Sequence, residues 1–304
     1  MSEVRGEEGA AISSPWLNKI FCGDALAELK RMPDGLTDTV VSSPPYFQQR
    51  DYQGDLQLGL EEKPEDYIAR LTAIFAECRR VMKDTGSLWL VLGDKYRDGD
   101  QLGMPWRVAL ALKEVGWILR SDIIWHKPNA MPSPVKTRPT PDHEYVFFFA
   151  KSKDYYYNAD AIREPHVTFT ASSRMRGGRR HFGKRQGTPE AGKNGGRSNL
   201  HDGRWDQAFH PLGRNKRTVW SIPLSKFRDA HFAVFPEPLV ETCILAGCPE
   251  GGVVLDPFLG SGTTALVANR LGRHYVGIDC VAEYCEMARR RIPGNRQLGI
   301  LFSS

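Results

Sequence analysis

The stretch VVLDPFLGSGTTALVA, Val253–Ala268, decides how this chain is read. Val253–Asp256 has the composition of a short buried strand. Phe258–Thr264 follows as a loop with glycines at 260 and 262, and Ala265–Leu271 opens a helix. A strand, a glycine loop and a helix in that order let backbone come close to a ligand and aim free N–H groups of the helix N-terminus at it. The stretch is not a P-loop: it has no Gly-Lys-Ser/Thr, and Thr263 stands where the lysine would be. A Gly-x-Gly alone also serves an ordinary tight turn. Asp279 strengthens the ligand reading, because it ends the next apolar strand (HYVGID, His274–Asp279), 17 residues after Gly262. A carboxylate there can accept hydrogen bonds from both ribose hydroxyls of a nucleoside. Gly260, Ser261, Gly262, Thr263, Thr264 and Asp279 are therefore candidates for binding a nucleoside-type cofactor.

A second loop carries chemistry of its own. The apolar run Asp38–Ser43 (DTVVSS) stops at Ser43-Pro44-Pro45-Tyr46. Two prolines remove N–H donors and stiffen the backbone, so carbonyls on such a loop become fixed acceptors. The Ser43 hydroxyl accepts as well, and Tyr46 offers a flat face. An aromatic amino group needs such a setting before it can act as a nucleophile, because its lone pair is delocalised into the ring and its N–H groups must be held. An ordinary Pro-Pro turn is the competing reading of the tetrapeptide alone.

Between and around these loops, strand and helix signals alternate. Lys63–Lys83 has apolar residues at helical spacing (Tyr67, Ile68, Leu71, Ile74, Phe75, Cys78, Val81, Met82), and Gly86–Gly93 (GSLWLVLG) reads as a strand. Trp106–Val115 reads as a helix, Ile118–Trp125 and Glu144–Ala150 as strands, and Leu239–Ala246 and Ala282–Arg291 as helices. This alternation predicts an α/β fold with a doubly wound, mostly parallel sheet of Rossmann-like type. Residues 1–15 read as a frayed tail, 16–153 and 218–304 as the two halves of the main domain, and 154–217 as an insertion. His126 and His143 flank a Pro-rich central loop and read as structural histidines.

The insertion is where the charge sits. From Arg174 to Arg217 there are twelve Lys and Arg against three acids, a net of +9; with the whole chain at +5, the remainder carries −4. A positive excess confined to one stretch points to a polyanion contacted by that region, the alternative being a solvated loop. No apolar run approaches the length of a membrane span. The polar N-terminus has no apolar core of a secretory signal, so a cytoplasmic protein without membrane contact is expected. Cys243/Cys248 and Cys280/Cys285 lack the tighter C-x2-C spacing of structural zinc sites, so all six cysteines read as free thiols and no metal is expected.

SSPPY followed far downstream by DPFLGSGTT resembles the amino-methyltransferases of restriction–modification systems, and the order of the two motifs resembles the β group of that family. IIWHKPNAMPSPVKTRPTPDHEYVFFFAKS (Ile123–Ser152) is similar to the family's central region, and HFAVFPEPLVETCILAG (His231–Gly247) to the helix before its cofactor strand. The resemblance implies S-adenosylmethionine as cofactor, with Asp256, Phe258, Gly260 and Gly262 at its methionine side and Asp279 at the ribose. It places Asp24, in FCGDAL, near the adenine; a helix-capping Asp is the competing reading.

The resemblance also implies a reaction. A base of double-stranded DNA would flip out of the duplex, stack on Tyr46 and have its amino protons accepted by Ser43 and the Pro44 carbonyl during direct in-line methyl transfer. In the family a serine at the first loop position usually accompanies cytosine N4, and an aspartate adenine N6. Cytosine N4 is therefore expected here, with adenine N6 the alternative. An RNA or protein methyltransferase and a catalytically silent DNA-binding regulator are more distant ones. Expected DNA contacts are Lys127, Asn129 and Arg138 in the central loop, with Arg174, Arg176, Arg179, Arg180, Lys184 and Arg185 in the insertion. A cognate restriction endonuclease acting on the same site would be the natural companion, and the chain would work as a monomer or homodimer.

Overall fold

The computed structural model describes residues 14–50, 57–165, 212–224 and 235–293. Its elements run in the order β1 (Lys19–Cys22), α1 (Ala25–Arg31), β2 (Thr37–Ser42), α2 (Pro64–Val81), β3 (Met82–Leu92), β4 (Tyr96–Arg97), β5 (Asp100–Gln101), α3 (Met104–Glu114), β6 (Ile118–His126), β7 (His143–Ala150), β8 (Val219–Ser221), α4 (Glu237–Gly247), β9 (Val253–Asp256), α5 (Thr263–Arg270), β10 (His274–Asp279) and α6 (Ala282–Arg291). Eight strands form one sheet in the order β1-β10-β9-β2-β3-β7-β6-β8, and β4 and β5 form a separate small hairpin. From β1 to β3 every neighbour is parallel. β7 then runs antiparallel to both β3 and β6, and β8 lies parallel to β6. The Rossmann-like, mostly parallel α/β reading of the sequence holds.

The inner strands are apolar on both faces because both are covered. On one face Val40, Leu88, Leu90, Phe147, Phe149, Leu255 and Ile278 join one core with Leu29 of α1, Leu71, Phe75 and Cys78 of α2, and Val108 and Leu112 of α3. On the other, Trp89 stacks on Phe148 at 4.2 Å between ring centroids, and α4 packs against β2 and β3.

Two boundaries differ from those expected. α2 ends at Val81, and Met82 already pairs with Thr37 in β3, so the helix hands over directly to the strand with no intervening loop. α3 starts two residues earlier than its apolar pattern, because the Asp94 carboxylate accepts from the N–H groups of Gly103 (3.1 Å) and Met104 (3.0 Å) and satisfies the helix start from a distance. β1 and α1 are short, and the apolar signal of α1 rests on few residues.

The chain divides into two compact units, Met1–Asn158 with Thr218–Ser304, and Ala159–Arg217. Residues 154–158, assigned from sequence to the insertion, belong to the larger unit: Tyr156 N–H donates to the Thr85 carbonyl (2.8 Å) and Asn158 N–H to that of Ala246 (2.9 Å). Within the smaller unit, Glu164 and Arg214 form an antiparallel bridge, and Arg163 donates to the Gly213 carbonyl and to Asn215. Among the described residues no helix is long and apolar enough to cross a membrane.

Asp38 joins three strands. Its nearly buried carboxylate takes the Lys83 ammonium from β3 (2.8 and 2.9 Å) and the Val253 N–H at the start of β9 (2.8 Å). Asp38→Ala leaves that N–H unpaired, so we expect a loss of about 2 kcal/mol in urea denaturation. A loss below about 0.5 kcal/mol would place the pair among inconsequential surface contacts.

Candidate active site

Because β9 and β2 are parallel neighbours (Thr39 beside Val254, Val40 beside Leu255), the loops leaving their carboxyl ends emerge side by side. β9 leads to β10 on one side and β2 to β3 on the other, so the two loops flank the point where the strand order reverses, where open α/β sheets form clefts. A cavity of about 340 Å³ opens there, lined from one loop by Ser43, Pro44, Pro45 and Tyr46, and from the other by Asp256, Phe258, Gly260, Ser261, Thr263 and Thr264. Asp24, Asp279, Trp125, Lys127 and Glu144 are among the other residues of its wall.

Asp256 ties the two loops together. Oδ1 accepts from Ser42 Oγ (2.7 Å) and the Phe258 N–H (3.1 Å), and Oδ2 from Thr264 Oγ1 (2.7 Å). Burial pushes its carboxyl up to about 6, although the Thr264, Ser42 and Phe258 hydrogen bonds each pull the other way. Sequence reading placed Asp256 at the cofactor pocket. It lines the cavity, and three donors from separate segments occupy it.

Asp279 holds the rim of the glycine loop. Its Oδ2 accepts from the Gly260 N–H (2.7 Å) and its Oδ1 from the Val281 N–H (2.9 Å), leaving each oxygen a further lone pair; burial raises its carboxyl. Gly260 has φ +54°, and a Cβ there would meet nothing within 4 Å. Gly262 plays a different part: with φ +88°, a Cβ would lie 2.6 Å from that of Ala288, so this glycine lets the loop press on α6. Arg291, at the end of α6, donates to the Ser261 carbonyl (2.7 Å) and hydroxyl (2.8 Å), a clamp the sequence pattern did not single out. Asp24 caps α1, accepting from the Ala27 N–H at 2.8 Å, and also lines the cavity, so the two readings of this residue are compatible.

The Ser43–Tyr46 loop is held from beneath and beside. The wholly buried Tyr67 of α2 donates to the Pro45 carbonyl at 2.9 Å, while no described residue donates to the Pro44 carbonyl. Ser43 Oγ donates to Tyr46 Oη (3.2 Å), and Tyr46 Oη donates to Glu144 Oε2 (2.8 Å). Glu144 Oε1 is ion-paired with Lys127, whose ammonium lies 4.6 Å from the Trp125 ring centroid. Gly93 makes room for the tyrosine: a Cβ there would stand 2.7 Å from its Cε2. Burial and the Glu144 charge hold the Tyr46 phenol well above its usual pKa. Glu144 was not a candidate from sequence; its only local sign is an acid opening an aromatic strand.

The expected DNA contacts of the central loop have partners within the protein. Lys127 pairs with Glu144, Asn129 exchanges hydrogen bonds with the backbone of Leu224 (3.2 and 2.8 Å), and the Arg138 guanidinium stacks 3.6 Å over the Tyr96 ring. His126 bonds Ser221 and neither it nor His143 lines the cavity. Arg174, Arg176, Arg179, Arg180, Lys184 and Arg185 lie outside the described residues.

The model of the N6/N4 DNA methylases matches residues 37–290, and the chain belongs to that family. Among curated relatives, it is 39% identical to Type II methyltransferase M.Cfr9I of Citrobacter freundii, over 90% of this chain and 87% of that one. It is 37% identical to Type II methyltransferase M.SmaI of Serratia marcescens, over 90% of each. Among solved structures, PvuII DNA methyltransferase (cytosine-N4-specific) shares the fold with a TM-score of 0.65 at 21% identity, covering 91% of this chain and 86% of that one. The protein TTHA0409 of Thermus thermophilus, solved with S-adenosyl-L-methionine, has a TM-score of 0.57 at 26% identity, covering 91% of this chain and 95% of that one.

The raised Asp256 carboxyl has a measurable consequence. A folded-state pKa above the unfolded value means that the protonated acid favours folding, so this contribution is full below about pH 4 and is lost as pH rises through about 6. Asp256→Asn cannot titrate. The stability of the wild type relative to Asp256→Asn should therefore fall between about pH 4 and 7, by on the order of 3 kcal/mol. Urea denaturation of both proteins across that range checks it, and a constant difference would contradict it.

Proposed function

We propose that this DNA methyltransferase transfers a methyl group to the exocyclic N4 of cytosine in duplex DNA, with the base flipped into the cavity between the two loops. The observation that carries the proposal is the convergence of Ser43-Pro44-Pro45-Tyr46 and the Gly260–Asp279 rim on one cavity across adjacent parallel strands. The cofactor is S-adenosylmethionine, and the residues fit it. The cavity volume is in the range of small-molecule sites, backbone at Gly260 has no side chain to block approach, and Asp279 retains lone pairs for ribose hydroxyls. Bound there, it would supply a sulfonium methyl, its sulfur keeping the electron pair of the broken C–S bond while the amino nitrogen forms the new bond and gives up a proton to water.

The chain's own residues orient and polarise the base. Tyr46 offers a stacking face, and the Pro44 carbonyl and Ser43 Oγ accept from the amino group, favouring positive charge as it develops on nitrogen. The rest of the rate comes from holding acceptor and donor in line. The choice of cytosine rests on Ser43 at the first loop position; adenine N6 is the outcome that would replace it. The basic stretch Arg174–Arg217 supplies phosphate and base-edge contacts, and a cognate endonuclease would share the site.

Mass spectrometry of nucleosides from DNA methylated by the purified protein should find N4-methylcytosine and no N6-methyladenine. N6-methyladenine alone would overturn the choice of base, and neither product over many DNA sequences would overturn the substrate. Asp279→Ala and Gly260→Val should each weaken cofactor binding on the order of 10- to 100-fold in calorimetric titration, with DNA binding retained. Unchanged affinity in both would remove the glycine loop from the cofactor site.

A further inference from the structure

The polar groups beside Tyr46 form a hydrogen-bond chain whose direction is forced. Glu144, ion-paired with Lys127, carries no proton on its carboxylate and can only accept. Tyr46 has one phenolic proton, and at 2.8 Å it goes to Glu144 Oε2. Tyr46 Oη can then only accept from Ser43, whose one hydroxyl proton spans the 3.2 Å between them. Ser43 Oγ is left with lone pairs and no proton to offer. A serine hydroxyl free to rotate would present its proton to a neighbouring amino N–H as readily as its lone pairs, and donor would face donor.

We propose that Glu144 is a positioning residue that fixes the direction Ser43→Tyr46→Glu144 and so makes Ser43 Oγ a committed acceptor for the amino group of the target base. Lys127 keeps the far end of the chain anionic, and the room left by Gly93 lets the Tyr46 ring reach the carboxylate. Burial, which holds the phenol protonated, serves the same end. The arrangement explains how a neutral serine can do at this position what a carboxylate does through its own charge. It also gives a reason for an ion pair to be kept in a cavity wall, where its net stabilisation is small. The inference rests on assigning the Ser43 loop to amino methylation.

The test is a double-mutant cycle. The amide of Glu144→Gln can donate to Tyr46, so the chain can run in either direction. Its kcat should fall on the order of 10- to 100-fold, the size of one hydrogen bond to a charged group. The KM for DNA and the affinity for S-adenosylmethionine should stay within about two-fold. Tyr46→Phe cuts the same chain while keeping a stacking face. In that background Glu144→Gln should cost less than about two-fold more. Full kcat in Glu144→Gln, or the same loss in both backgrounds, overturns the proposal. If Glu144→Gln fails to bind cofactor, Tyr46→Phe alone decides: it should bind cofactor normally and lose the same factor in kcat, and full activity overturns the proposal. Nucleoside analysis of wild-type product separates the failures. An amino-methylated base with kcat insensitive to Glu144→Gln sinks the relay alone, whereas no amino methylation sinks the reading beneath it as well.

Discussion

The Asp256 carboxylate is the constraint on which the site depends. It receives the last residue of β2 through Ser42, its own loop through Phe258 and the first turn of α5 through Thr264. Two loops more than two hundred residues apart in the chain are thereby held against each other by one buried anion. Taking a carboxylate out of water is costly, and here the cost is offset by three hydrogen bonds, the two short ones from side-chain hydroxyls. Loss of any one donor would leave part of a charge uncompensated, so the contact behaves as a unit with the geometry of the cavity.

The sheet supplies the rest of that geometry. Since β2 and β9 are hydrogen-bonded neighbours, the relative position of the two loops is set by strand register, and the Asp256 contacts refine it. β6 and β7 then bring a third group of side chains to the same edge. β6 carries Trp125 next to its end there and Lys127 follows the strand, while antiparallel β7 carries Glu144 next to its start. An all-parallel continuation of the sheet would have carried the start of β7 to the opposite edge. The direction reversal at β3–β7 is what makes an acid at the start of a strand available to a loop at the end of another.

How much of this could be read from the chain follows the range of the interactions. The glycine loop and the Ser-Pro-Pro-Tyr loop are legible because their chemistry is local: φ values that favour glycine, prolines that fix a backbone, an acid at a strand end. The apolar periods of α2, α3 and the inner strands are legible for the same reason. What escaped depends on partners distant in sequence. Asp94 starts α3 from nine residues away, Arg291 clamps Ser261 from thirty, and Glu144 meets Tyr46 across ninety-eight. Lys127 is the instructive case. A lysine in a polar, Pro-rich loop reads as a DNA contact, and nothing nearby in sequence announces the carboxylate it pairs with. Asn129 is bonded to the Leu224 backbone, and the Arg138 guanidinium lies over the Tyr96 ring.

The basic stretch obeys a different logic from the site. It lies within the insertion between β7 and β8, which the Glu164–Arg214 bridge closes, with Arg163 reaching Gly213 and Asn215 and Lys216 reaching Glu164. A long excursion whose ends are pinned together costs the fold little, since the entropy of closing a loop grows only slowly with its length. Among the described residues, the strands of the sheet and the Asp256 contacts all come from outside those pinned ends. The +9 of Arg174–Arg217 is thereby set apart in sequence from the remainder of the chain, net −4, which carries the Asp256 contacts. On the function proposed above, a substitution in that stretch would change which DNA is bound and leave the buried Asp256 carboxylate undisturbed.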